Sequence, residues 1–99
     1  MSSPASRQRQ RHRRRARERL WTAQSALADR EIVLAAYKRV DADMVQRYQE
    51  PAPLVSMQAL AIVAVCRNAI EDDCKRLRQV IADLERVVVD LEPKQEATA

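Results

Sequence analysis

The chain has 99 residues, no glycine, four prolines and sixteen alanines. That length bounds it to one small domain, which buries a modest fraction of its surface unless it self-associates, and the lack of glycine and of strand-like alternation excludes glycine-loop nucleotide sites and predicts an almost wholly helical chain. The formal net charge of +4 is unevenly placed, because residues 1–20 carry eight arginines against Glu18, so a basic arm precedes a mildly acidic body and points to a polyanionic partner.

The arm, residues 1–19, is dominated by "RQRQRHRRRARERLW" at positions 7–21. Each guanidinium presents five donors in a rigid fork suited to phosphate oxygens, and closely spaced cations release counterions from a polyanion. Arg7, Arg9, Arg11, His12, Arg13, Arg14, Arg15, Arg17 and Arg19 are therefore the candidate nucleic-acid contacts. On a helix, Arg14, Arg17 and Trp21 share one face, which adds an aromatic ring able to stack on a base. Positive charge at a helix N-terminus opposes the dipole, and arginines four apart repel, so the arm is expected to be disordered until a polyanion orders it as helix. Ser3 with Pro4, or Ser6, then caps that helix.

The stretch "ASRQRQRHRRRARERLWTAQ" resembles the arginine-rich motifs of the lambdoid phage N antiterminators and of lentiviral Rev, short helices that enter an RNA groove or cap a hairpin loop. The resemblance covers about twenty of the 99 residues. It implies that Arg13, Arg14, Arg15 and Arg17 contact phosphates and that Trp21 stacks. It also suggests a small viral or phage-like protein. The periodic body departs from the N proteins, and the placement of the arm before the first helix departs from Rev.

The body, residues 20–92, reads as two long helices in an antiparallel hairpin, an all-α fold. The first, about 20–48, places Leu20, Ala23, Leu27, Leu34, Tyr37, Val40, Met44 and Tyr48 on one face, interrupted by Arg30 and Asp41. "QEPAPLVS" then breaks the chain, giving a hinge at 49–55. The second helix, about 56–92, has Val63, Ile70, Leu77, Leu84 and Leu91 at spacings of seven with Cys74, Ile81 and Val88 interleaved, a coiled-coil seam. Val80 and Val87 broaden that stripe beyond a simple zipper. Pro93 stops it, and 93–99 is expected to be a disordered tail.

Two helices bury little, and apolar residues remain off both stripes, so a homodimeric four-helix bundle is expected. Ile32, Met57, Leu60, Val65, Leu77 and Leu84 are its candidate interface residues, or the surface for a different protein partner. A basic helix followed by heptads also suggests a zipper-type DNA reader, but that class places a base-contacting asparagine in the basic region and here Asn68 is the only one.

No catalytic constellation assembles from local motifs: His12 is the only histidine, and "EDDC" at 71–74 points its carboxylates in different directions on a helix. The chain is expected to be non-enzymatic, without cofactor or metal. Cys66 and Cys74, eight apart on one helix, cannot bridge each other, which suits a reducing compartment. The cytoplasm is expected, or the nucleus in a eukaryotic setting, with no membrane partner, since the longest apolar run is too short to span a bilayer. The expected function is nucleic-acid binding through the arm, RNA ahead of DNA, with the body dimerising. The alternative is a structural or assembly protein, such as a virion scaffold or regulatory subunit, whose helices bind a protein partner and whose arm contacts an acidic protein surface or faces packaged genome. Separately, the carboxylates Asp83, Glu85, Asp90 and Glu92 of the hairpin compete for the arm's arginines.

Overall fold

The computed structural model describes residues 3–93, and their regular structure consists of two helices, α1 (Pro4–Tyr48) and α2 (Met57–Asp90), packed against each other as an antiparallel hairpin. Cross-helix pairs fix the direction, since Arg13 meets Glu92, Glu31 meets Arg78, and Asp41 meets Arg67. Apart from Pro93, the expected tail lies outside the described residues.

α1 differs from the sequence expectation at its start. The sequence suggests a boundary after residue 19 and an arm that folds only on a polyanion, whereas α1 runs unbroken from Pro4. Ser3 is the N-cap: its Oγ accepts from the Ser6 backbone N–H at 3.2 Å, Pro4 fills the first helical turn, and the Arg7 N–H donates to the Ser3 carbonyl at 3.0 Å. The arm also extends a helix that is already nucleated, so each added Ala, Arg or Gln gains a hydrogen bond without a new nucleation cost. These gains offset the absence of acidic residues from the first turn, an unfavourable dipole term of about 0.3–1 kcal/mol per nearby charge.

The hinge follows from its prolines. Gln49 caps α1, with the Gln49 and Glu50 N–H groups donating to the carbonyls of Gln46 and Arg47, and Pro51 cannot continue the ladder. Ala52, held between Pro51 and Pro53, takes φ 55°, the left-handed region in which a Cβ is crowded. Ser56 then caps α2 by accepting from the Ala59 N–H at 3.1 Å. At the far end Leu91 is the C-cap, two residues before Pro93.

The α2 seam matches the predicted spacing: Val63, Ile70, Leu77, Ile81, Leu84, Val88 and Leu91 are half-buried and Cys74 is wholly enclosed. On α1 the seam includes Ala16, Leu20, Ala23, Leu27, Leu34, Tyr37, Met44 and Tyr48. Two expectations for that face are corrected. Val40, expected in the core, is 48% exposed on the flank, and Asp41, read as an interruption, is buried beside Arg67 at 2.6 Å. The reason is helix spacing: Asp41, seven residues after Leu34 and four after Tyr37, lies about 20° from Leu34 around the helix, whereas Val40, six residues on, lies about 120° away.

Among the described residues no helix is long and apolar enough to cross a membrane.

Candidate nucleic-acid interface

The eight arginines of the arm divide by helix geometry. Continuing the inward spacing back from Leu27 and Leu20 lands on Ala16 and Arg13, and Arg9 lies one turn earlier on the same side. These two arginines therefore face the end of α2. Arg13 Nη2 is 3.1 Å from Glu92 Oε1, and Arg9 Nη2 donates to the Asp90 backbone carbonyl at 3.4 Å. Only 24% of the Arg13 side chain is exposed, and its Nε is buried without a hydrogen-bond partner. Leu91 and Pro93 border a small cleft of ≈ 130 Å³ together with Ser6, Arg9, Gln10 and Arg13, so the chain after α2 runs beside this side of the arm.

Arg7, Arg11, Arg14, Arg15, Arg17 and Arg19 are exposed and make no ion pair among the described residues. Of the four carboxylates expected to compete for the arm, Glu92 alone has an ion pair with it, while Asp83 is 3.6 Å from Arg86 and accepts from Gln79. The outward cations span Arg7 to Arg19, about 18 Å of helix axis. Duplex nucleic acid presents a charge every ~1.7 Å of its own axis, a closer spacing than that of the cations on this strip. Arg11, His12 and Arg15 border one shallow cleft of ≈ 320 Å³ with Pro4 and Gln8.

Trp21 is 69% exposed. At spacings of seven from Arg14 and fourteen from Arg7, it stands on the outward face in line with both. Arg17 flanks that line from the side. An indole in that position, open to solvent and preceded by a run of cations, has the geometry of a stacking platform.

The six candidate interface residues are not brought into one surface. Leu60, Leu77 and Leu84 are half-buried in or beside the seam. Ile32 and Val65 are 70% and 67% exposed on the outer backs of α1 and α2, and Met57 is exposed beside the hinge. The partners of Arg13 and Arg9 were visible in outline, since the arm was expected beside Asp90 and Glu92. Which two arginines turn inward required extending the heptad spacing into the arm.

Comparison of the chain with protein-family models, with curated proteins and with solved structures gives no match.

Proposed function

We propose that this is a non-enzymatic nucleic-acid-binding protein that lays the outer face of the first turns of α1 along a phosphate backbone, RNA ahead of DNA, with the helical body serving dimerisation. The observation that carries the reading is the set of six exposed arginines without an internal carboxylate partner among the described residues, aligned with an exposed tryptophan. Fixed on a continuous helix, these groups need little further ordering on binding, which favours affinity. Contacts of this kind position a protein on a duplex without reading its sequence.

The test is the salt dependence of binding to duplex RNA and duplex DNA. Six neutralised phosphates give a slope of log affinity against log salt near −5, hence a loss of about a thousandfold between roughly 50 and 200 mM salt. Charge-removing substitution of Arg11, Arg14 and Arg15 together reduces that slope by about half. W21A weakens binding to a single strand or loop more than to a regular duplex. Affinity that barely responds to salt, or that survives deletion of residues 1–19, overturns the reading.

A second reading, a structural or assembly protein docking on a protein partner, is favoured by the apolar surface at the hinge end. Leu54 is 99% exposed there, and Met57, Ile62 and Val65 are also open. Substituting Ile62 and Val65 with glutamate leaves polyanion affinity unchanged if the first reading holds. It abolishes recovery of a specific protein from native cells if the second does.

A further inference from the structure

We infer that the apolar groove along one side of the hairpin is the interface with a second copy of this chain, the two related by a two-fold axis running along the rods so that both arginine-bearing ends lie together. The inference rests on the dimerising body of the proposed function; it draws Arg15 and Arg19, which line the groove, to the interface and leaves Arg7, Arg11, Arg14 and Arg17 for the polyanion.

The two sides of the hairpin differ in chemistry. One is charged: Glu31 and Arg78 pair across it at 3.3 Å, and Lys38 and Glu85 also lie there. The other carries an open groove of ≈ 790 Å³ between the helices, floored by Ala23, Ala26, Leu77, Val80 and Leu84. It continues as a ≈ 360 Å³ section past Ala16, Val87 and Leu91 towards the open end of the hairpin. Val80 and Val87, although next to the seam, are 41% and 42% exposed, and Val33 and Val40 on α1 are also exposed. The heptad positions of Val33 and Val40 place them on this same side, towards the hinge. Arg30 and Asp73, 4.0 Å apart, interrupt the strip midway.

The area is sufficient for a dimer. The part of the hairpin where both helices run together is about 51 Å long and about 20 Å wide, or ~1,000 Å² per copy, against the ~800 Å² per partner of a standard interface. The chain exposes 8181 Å², where a compact monomer of 11.4 kDa exposes about 5,800 Å².

Charge on the two rims selects the second copy and its direction. The cross-helix pairs set Arg15 level with Asp90, and Asp29 level with Arg76, on opposite rims of one groove. Within one hairpin these groups stand apart, and neither Arg15 nor Asp29 has an ion pair among the described residues. A two-fold axis along the rods lays α1 of one copy over α2 of the other at the same level. Arg15 then meets the partner's Asp90, Asp29 meets the partner's Arg76, and between Asp29 and the hinge Ala36 meets the partner's Ala69. Turning the second copy end for end instead sets Arg15 beside the partner's Arg47. Opposite charges on the rims with an apolar floor between them are what a self-complementary four-helix bundle requires.

The experiment uses the full chain without nucleic acid. Sedimentation or light scattering gives the mass of the wild type and of V80E/V87E, circular dichroism reports helix content, and a spin label on S6C in a C66S background gives the distance between the two arms. The expected results are a wild-type dimer, a helical V80E/V87E monomer, and a label separation of roughly 15–30 Å across the bundle. A monomeric wild type, a V80E/V87E protein that still dimerises, or labels roughly 75 Å apart, as the end-for-end arrangement demands, each overturns the inference. If V80E/V87E unfolds, the wild-type mass and the label separation decide alone. Salt-dependent binding by a monomer would leave the polyanion reading standing while this one fails.

Discussion

Replacing Asp41 with alanine tests whether a single buried ion pair sets the register of the hairpin. The Asp41 carboxylate, with 11% of its side chain exposed, lies 2.6 Å from Arg67 Nη1, and Arg67 Nε is already buried without a partner. A charge-assisted hydrogen bond contributes about 1.5–3 kcal/mol net. Orphaning a fully buried charge costs about 3–5 kcal/mol. Arg67 retains 35% side-chain exposure, so water partly rehydrates it and the expected loss falls to about 2 kcal/mol. Urea unfolding followed by circular dichroism, at a fixed chain concentration, measures it. The double variant D41L/R67L removes both charges and should recover most of the loss seen in D41L or R67L alone, giving a coupling energy of about 2 kcal/mol in the cycle formed by those three variants. A D41A loss below ~0.5 kcal/mol, or strict additivity in the cycle, would refute the reasoning.

Three further outcomes follow from particular residues. A52G should stabilise the hairpin by about 0.5–1 kcal/mol in the same unfolding assay, because the left-handed φ at Ala52 crowds its Cβ and glycine accepts it freely. S3A removes the cap of α1 at a cost of about 1 kcal/mol of local helix stability, visible as faster amide exchange at Ser6 with no change near Leu34. E92Q should release Arg13 to an external phosphate, tightening polyanion binding by at most about fivefold, since exposed pairs contribute ~0.2–1 kcal/mol, and steepening the salt slope by about 0.9. An unchanged slope in E92Q would mean that Arg13 remains held by the chain end.

The hairpin was legible because its signals agree. The spacing from Val63 to Leu91 and the Pro51-Pro53 break each lead to two antiparallel helices. What escaped the reading depends on how one helix sits on the other. Asp41 looked like an interruption because a carboxylate is seldom buried, although its spacing from Leu34 and Tyr37 puts it on the inward face. Arg67, as far after Leu54 in sequence as Asp41 is before it, meets that carboxylate from α2 and makes its burial possible. The interface candidates failed to converge for a related reason. Ile32 and Val65 were selected for apolarity away from the stripe, and in a hairpin that places them on opposite outer backs, while Val80 and Val87 border the groove itself. The Ser3-Pro4 cap was legible in the sequence, whereas the arm's continuity with a long helix, which spares it a nucleation cost, does not show in a count of repelling charges.

That continuity limits how the arm can meet a polyanion. A free arginine-rich helix entering a groove can be contacted on all sides, but here Arg9 and Arg13 face the chain end, and Leu91 and Pro93 lie along the same side from Ser6 onward. What remains is a one-sided strip carrying Arg7, Arg11 and Arg14 in line with Trp21. A strip of that kind suits a backbone running along its length better than deep insertion, and a hairpin two helices thick is wider than the ~12 Å major groove of B-form DNA. On the proposed function, affinity would then come from counterion release and discrimination from the shape of the phosphate path, with Trp21 adding preference only where a base is already unstacked. The two-fold arrangement inferred for the body would set two such strips at one end of a single rod, so that a polyanion long enough to reach both would bind more tightly than one strip allows.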